Sequence, residues 1–507
     1  MRRVARTLEV VLYSCGPLFI ALACAMTIPL VLVLLYGEFH QGPETLEAFL
    51  LPAALSLFLG IFLHRVLRAR PLNRLQSALI CSVGWLGFSA IGALPFMIGI
   101  DSTYLDGFFE AMSGFTTTGI TMFTGLDQMP KSVLFWRALT QWIGGLGILT
   151  MFMLVAFRGG SPHKLFGAEG HKINVDRPVP GLANTIRVLF SIYAGFTCFI
   201  ALALFALGMP LFESICHSFT TLSTGGFSPH DASIEYYRLS GYPNYVWFDY
   251  VITLGMLMGG TSFVIHYRVL KGSWKAWFDN IEARYWWSLI GIFVALILFE
   301  RFVRVAPFAH ISATSPDFWR RLEEDFRLVL FQVVSILTTT GFGTRDINTP
   351  FFGEAARQLF LVMMVIGGCV GSTGGGIKVL RIAIMGKLIR REVYRLRVPP
   401  RAINSVIIDG ELVELDEIQR VGGLFFMWIV LLIFGGGVTE YLSHHNGYAA
   451  LSGMFSALGN IGPCYIPVAD MGQLHPLIKI VYILGMLAGR LEILPVLLLF
   501  SLKAWRS

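Results

Sequence analysis

The sequence predicts an all-α integral membrane protein of about ten spans, with four pseudo-symmetric helix–re-entrant loop–helix repeats around one pore and two further helices before them. Three observations predict it. Of 507 residues, 55% are hydrophobic and only 14% charged, with a mean hydropathy of +0.66, a composition for lipid rather than for several soluble domains. Four short strips, FTTTGI (115–120), LSTGGF (222–227), LTTTGFGT (337–344) and LGNIGPCY (458–465), each follow an apolar run too short to cross a bilayer and precede one long enough. Non-helical backbone is tolerated at membrane depth only where it is buried in protein or faces a water-filled path, so each strip reads as the floor of a re-entrant loop. Finally, the returning spans rhyme: IGGLGI (143–148), MGGTSF (258–263), IGGCVGSTGGGIK (366–378) and LGMLAGRLEI (484–493). Close helix packing explains any one of these small-residue pairs, but not their recurrence behind every strip.

The chain opens with MRRVAR and an apolar run over 8–36. Basic-then-hydrophobic resembles a signal peptide, but the run is too long and lacks a small-residue cleavage site, so it reads as a retained helix. A second span at 46–63 ends in the basic connector HRVLRARPLNR. These two helices occupy 1–70, and the repeats occupy 71–180, 181–284, 285–410 and 411–507. Outer spans begin near Leu75, Asn184, Tyr285 and Arg420, short helices cover 104–115, 211–221, 326–337 and 448–458, and returning spans begin near Ser132, Tyr245, Glu354 and His475.

Lys and Arg crowd the N-terminus, 64–74, 158–187, 266–284 and 378–401, which places those segments and both termini in the cytoplasm and has all four strips enter from outside. The 301–327 connector mixes Arg301, Arg304, Arg320, Arg321 and Arg327 with Asp317, Glu323, Glu324 and Asp325, and reads as a polar outer loop. Because most of the +7 charge lies between spans, the membrane accounts for it and no nucleic-acid partner is implied. The seven cysteines are scattered through apolar runs and form neither a zinc pattern nor a disulfide framework.

A dehydrated cation needs oxygens in place of its water, and backbone carbonyls supply them without net charge. Aiming successive carbonyls at one axis requires conformations that glycine adopts freely. A helix ending at that axis adds its negative pole. The candidate filter residues are therefore Thr117, Thr118 and Gly119; Ser223, Thr224 and Gly225; Thr339, Thr340 and Gly341; and Asn460, Ile461 and Gly462. One TTG tripeptide carries little weight; four with the same flanking architecture carry much.

With these strips the whole chain resembles the Trk/Ktr/HKT superfamily of potassium transporters, in particular its TrkH-type membrane subunits, which have two helices before four pore repeats. The resemblance implies one filter glycine per repeat, matching Gly119, Gly225, Gly341 and Gly462. Some plant relatives have serine at the first position and favour sodium, so Gly119 implies potassium. The fourth strip, GNIGPCY, departs from the Ser/Thr pattern and implies a less regular filter. In the third returning span, GGCVGSTGGGIK is too glycine-rich to remain helical. The resemblance implies a gate loop there, beneath the filter, comprising Gly367, Gly368, Gly371, Ser372, Thr373, Gly374, Gly375, Gly376 and Lys378. The other reading is a packing kink, against which stands the fact that no other span is so interrupted in sequence. A phosphate-binding loop is excluded because Gly376 is followed by Ile377 rather than lysine. Arg490, deep in the last span, is a functional residue by its cost alone. The resemblance sets it under the filter beside the gate, where its charge raises the barrier to cations; the alternative is an ion pair with Glu492, although residues two apart on a helix face different ways.

An aspartate follows each strip within about ten residues: Asp127, Asp231, Asp346 and Asp470. They read either as acids that concentrate cations at the outer mouth or as ordinary loop acids, and both readings stand. His444 and His445 read as a solvated pair, ELVELDE (411–417) as a plain connector, and Pro399 and Pro400 as the end of the basic helix before it.

The function expected is potassium uptake across the cytoplasmic (inner) membrane, down a gradient worth about 2.3 kcal/mol per charge per 100 mV. Potassium is the transported ion and no organic cofactor is expected. The resemblance implies a homodimer, in contact with membrane lipids, docked on a separate cytoplasmic ring of TrkA-type nucleotide-binding regulatory subunits, for which the basic 378–401 stretch is a docking surface. The alternative is a symporter coupling potassium to sodium or protons. Buried carboxylates within spans would favour it, and Glu492 is the main candidate. An enzyme would need a nucleophile–base or metal-ligand constellation at membrane depth, and none is read.

Overall fold

The computed structural model describes residues 2–40, 42–70, 72–157, 182–305, 316–399 and 406–506; the expectations for the basic stretch 158–181, for 306–315 and for Pro400 and Arg401 lie outside them. Two helices, Arg2–Leu35 and Glu44–Val66, lead the chain and pack along each other. They cross where Gly16 and Gly60 meet, and a methyl group on Gly16 would stand 3.0 Å from the Gly60 carbonyl oxygen, the small-residue contact by which helices approach in lipid.

The remaining chain passes four times through an outer, a central and a return helix. The outer helices are Arg74–Gly92, Leu182–Ala206, Ile281–Glu300 and Leu415–Leu442. The central helices are Tyr104–Phe115, Leu211–Leu222, Pro316–Leu337 and Gly447–Gly459. The return helices are Lys131–Phe157, Tyr245–Gly260, Glu354–Val365 and Pro476–Leu491. Their starts follow local capping chemistry. Asn73 and Gln76 form a capping box, and Thr103, Asn280 and Asn446 each accept a backbone N–H of the first turn they precede. Two return helices are capped from a distance by buried carboxylates: Glu38 accepts from Lys131 N at 2.6 Å, and Glu300 from Ala355 N at 2.9 Å and Ala356 N at 2.6 Å. Each places negative charge where orphan donors and the helix dipole want it.

The layers are concentric. The central helices turn most of their length into the core, whereas only 28–33% of the best apolar window is buried in the second, third and fourth outer helices, leaving large side chains such as Phe299 and Phe434 exposed. Apolar exposure on this scale suits lipid contact. By length and hydropathy six described helices can cross a membrane, seven if a bent pair counts as one span. The shortfall from about ten arises largely because return helices are short or broken.

Here the structure corrects the expectation that only the third return span is interrupted. The second stops at Gly260 and turns by 104° into Phe263–Leu270. The fourth stops at Leu491, passes through Glu492 and Ile493 with φ of +64° and +60°, and restarts as Leu494–Leu499. The third has the expected break, a loop over 366–378, before Val379–Arg395. Two connectors also differ. The latter part of 301–327 belongs to the third central helix, which begins at Pro316, a residue pre-organised for a first turn. ELVELDE contributes a strand, Glu411–Leu412, paired antiparallel with Ile407–Ile408, and then the first turn of the fourth outer helix.

Candidate functional site

Each central helix ends in the same backbone turn. A residue with positive φ follows the helix and another comes two positions later: Thr117 and Gly119, Thr224 and Gly226, Thr339 and Gly341, Asn460 and Gly462. The intervening residue donates its N–H five positions back: Thr118 N to Ser113 O, Gly225 N to Thr220 O, Thr340 N to Ser335 O, and Ile461 N to Ser456 O, all at 2.8–3.0 Å. These bonds consume orphan carbonyls at the helix end and send the strip off at a fixed angle.

The strips abut in cyclic order. A Cβ on Gly119 would lie 2.2 Å from Gly225 O, one on Gly226 1.9 Å from Thr340 O, one on Gly341 1.9 Å from Ile461 O, and one on Gly462 3.1 Å from Thr118 O. Glycine is required at this level twice over, by its left-handed backbone and by the neighbouring carbonyl. The pattern closes a ring of four and corrects one register: Gly226, not Gly225, stands with Gly119, Gly341 and Gly462. The second strip's triplet is therefore Thr224, Gly225 and Gly226, and Ser223 belongs to the helix end. The Gly225 carbonyl instead accepts from Gln141 Nε2 at 2.7 Å, while Gln141 Oε1 accepts from Phe227 N at 3.0 Å, so one buried amide holds this strip on both sides.

The 366–378 loop lies against the inner end of the ring. Gly375 N donates to Thr339 Oγ1 at 2.8 Å; Thr373 Oγ1 stands 3.2 Å from Thr224 Oγ1 and donates to Leu222 O at 2.9 Å; and a Cβ on Gly375 would touch Asn460 Oδ1 at 2.6 Å. Thr373 N and Cys369 N donate to the carbonyls of Gly259 and Gly260, which the break in the second return helix leaves open. Gly371 and Gly376 have φ of +73° and +64°, and a methyl on Gly367 would collide with Gly375 O at 1.9 Å. Ser372 Oγ accepts from Gly374 N at 3.3 Å, and Lys378 Nζ donates to Gly374 O, folding the loop on itself. A Cβ on Gly368 would stand 2.7 Å from Gly260 O. Arg490 reaches in from the fourth return helix and donates to Thr373 O at 2.5 Å, Gly144 O at 2.9 Å and Gly145 O at 3.2 Å. Its partner is thus backbone of the loop and of the first return helix, while Glu492 pairs elsewhere, with Arg381 at 2.5 Å.

Buried carboxylates are more numerous than the sequence suggests, which corrects the view that Glu492 is the main one. Glu110 is fully buried and accepts from Arg137 Nε at 2.8 Å, Thr121 Oγ1 at 2.9 Å and Met122 N at 2.9 Å. Arg137 also donates to Ser228 O at 2.9 Å, spanning the first two repeats. Asp249 pairs with Arg327, and Asp106 with Lys479, again across repeats. Glu282 accepts from Val370 N at 2.7 Å and Leu380 N at 3.2 Å, tying the 366–378 loop to the helix that follows it. The only sequence signal for these pairs is a charge inside an apolar helix, because the partners are far apart in the chain.

The outer aspartates are partly occupied. Asp231 accepts from Leu126 N at 3.1 Å, Asp346 from Asn348 N at 2.8 Å, and Asp470 stands 3.9 Å from His445. Asp127 Oδ1 lies 2.5 Å from His230 Nδ1, and Glu213 Oε2 lies 3.4 Å from His230 Nε2. Burial pulls the His230 pKa down, but hydrogen bonds and charge from Glu213 and Asp127 outweigh it, so the net shift is upward. Among the described residues no three His, Cys, Asp or Glu side chains gather as for a chelated metal.

Comparison with known proteins agrees with this architecture. Residues 54–506 match the TrkH family, described as cation transport protein. The chain is 33% identical to the Trk system potassium uptake protein TrkH of Salmonella typhimurium over 505 residues, covering 97% of this chain and 98% of that protein. It is 29% identical to an uncharacterized cation transporter of Methanocaldococcus jannaschii, with 99% and 97% covered. The crystal structure of the potassium transporter TrkH from Vibrio parahaemolyticus superposes with a TM-score of 0.83 at 29% identity, over 98% of this chain and 99% of that one.

Proposed function

This chain belongs to the TrkH family of cation transport proteins, and from that premise we propose that it takes up potassium through one selective pore, gated from below by the 366–378 loop. It is a multi-pass protein of the bacterial inner membrane and a transporter rather than an enzyme. The observation that carries the pore is the closed ring of four strips in one backbone register, each glycine against its neighbour's carbonyl. Such a ring, with four helix C-termini behind it, offers oxygens to a cation with no counter-charge to trap it. Its repeats are taken as 71–180, 181–284, 285–410 and 411–507 after the two helices of 1–70, with the termini in the cytoplasm. The alternative, a symporter, needs a buried acid free to carry a co-ion. Glu110, Asp249 and Glu492 instead face arginines, and Glu38, Glu282 and Glu300 cap backbone N–H groups, which supports the pore.

The same reading has the chain work as a homodimer on a separate nucleotide-binding cytoplasmic ring. The helix Val379–Arg395 supports it as the docking element, with Ile389, Arg390, Val393, Tyr394 and Arg395 exposed. The deciding experiment is flux through the purified chain in liposomes at a fixed potential. Potassium flux that follows voltage, exceeds sodium flux and needs no sodium or proton gradient is expected; an obligatory co-ion would overturn the pore in favour of the symporter.

A further inference from the structure

Three features meet where the fourth return helix breaks. Glu492 and Ile493 are consecutive residues with positive φ, +64° and +60°; Glu492 is left-handed helical, Ile493 with ψ of −54° lies outside that region, and a β-branched residue there is strained. Such a backbone persists only when its surroundings hold it, and here Ile493 N donates to Ala488 O at 2.8 Å while its side chain is buried. Glu492 also pairs with Arg381 at 2.5 Å, the Arg381 side chain only 5% and the Glu492 side chain only 11% exposed, joining the break to the first turn of Val379–Arg395. Beside the pair lies an open crevice lined by Gly376, Ile377, Met385 and Trp428.

Arg490, two residues before Glu492, grips the loop itself at Thr373 O. One short segment thus holds the 366–378 loop with one residue and the helix that follows the loop with another. We propose that Glu492 is a positioning residue of the gate: its ion pair with Arg381 latches the helix Val379–Arg395 to the strained break, so that displacement of that helix is transmitted to Arg490 and its hold on the loop. This rests on the gate reading above. A buried pair is a suitable latch because it is worth little net stability when whole, yet costs much when one partner is left alone. It therefore stabilises one arrangement of two elements against others more than it stabilises the fold.

The test is potassium flux per folded protein, with the purified full chain in liposomes. Glu492→Gln is expected to raise basal flux about tenfold, the change given by about 1.4 kcal/mol less closed-state stability. Exchanging the charges, Arg381→Glu with Glu492→Arg, should return flux to within about twofold of the parent, a rescue that a lost packing contact would not show. In an Arg490→Gln background, Glu492→Gln should add nothing further, because the latch acts through Arg490. Should single variants fold poorly, Arg381→Met with Glu492→Met removes both charges together and is expected to conduct as Glu492→Gln does. Parental flux in folded Glu492→Gln or in the double Met variant, while deletion within 371–376 raises flux, overturns the latch alone. Parental flux in the latch variants and the deletion alike overturns the latch together with the gate.

Discussion

At the scale of single residues, the ring glycines separate two demands that the sequence presents together. LSTGGF offers adjacent glycines, and nothing in their identity says which one carries the left-handed turn. Only the abutting carbonyls do: Gly226 faces Thr340 O, whereas Gly225 faces the Gln141 side chain. Gly226→Ala should therefore abolish potassium selectivity or expression, while Gly225→Ala, whose new methyl meets a side-chain amide rather than backbone, should retain more of both. Parallel sodium and potassium flux assays on the two variants check the order, and equal loss in both would return Gly225 to the ring. Gly119→Ser, with backbone carbonyl 2.2 Å from its new Cβ, should weaken potassium-over-sodium discrimination. His230 makes a second residue-level prediction. Its ring stacks on Tyr236 at 3.5 Å, is flanked by Tyr237, and faces Asp127 and Glu213 through opposite nitrogens, an arrangement that favours the protonated ring. A pKa raised above the ordinary 6.5 means the stabilisation is complete below 6.5 and is lost as pH rises through the higher native value. Thermal stability in detergent should thus decline as pH rises above 6.5, and His230→Gln should flatten that limb; an unchanged limb would remove His230 as its cause.

At the scale of elements, the third break was legible because glycine cannot hold a helix, and the other two were not because nothing in their composition requires a break. The second return helix ends at GGTS, yet what sustains the 104° turn is tertiary: loop N–H groups take the Gly259 and Gly260 carbonyls that the helix gives up. The last break passes through Glu492 and Ile493, neither of which signals a positive φ in sequence. Arg490 shows the same division. A charge in an apolar span is visible, but its threefold hold on Thr373, Gly144 and Gly145 is not. That hold separates charge from geometry in a prediction. Arg490→Gln removes the barrier charge and most of the fork, and should raise potassium flux. Arg490→Lys keeps the charge but cannot present the same planar donors to three carbonyls, so flux should rise part of the way. If Lys matches the parent in liposome flux, the charge alone is the barrier and the fork is incidental.

At the scale of the whole molecule, the four repeats are held as a ring by contacts from each return helix to the next repeat. Arg137 and Gln141 reach the second strip, Asp249 reaches Arg327 of the third central helix, the Arg357 carbonyl accepts from Tyr465 Oη at 2.7 Å in the fourth repeat, and Lys479 closes the circle on Asp106. The sequence shows the repeats but not these clasps, since each joins residues from different quarters. Their burial ranks their cost. Side-chain exposure is 3% and 5% for Arg327 and Asp249, and 7% and 17% for Lys479 and Asp106; Arg137, held inside its own repeat by Glu110, is 2% exposed. Removing one partner of a buried pair costs about 3–5 kcal/mol because the other charge is stranded, whereas replacing both by apolar residues is often neutral. Arg327→Met strands Asp249, so it should lower the melting temperature in detergent more than Asp249→Leu does, because Arg327 keeps Glu323 at 3.0 Å. Asp249→Leu with Arg327→Met should recover most of the loss, and the corresponding loss for Lys479→Met, at the more exposed pair, should be smaller than that for Arg327→Met. Melting curves for the single and double variants supply the cycle. A double variant no more stable than Arg327→Met would show that the fold needs the clasp's hydrogen bonds and not merely the absence of a stranded charge.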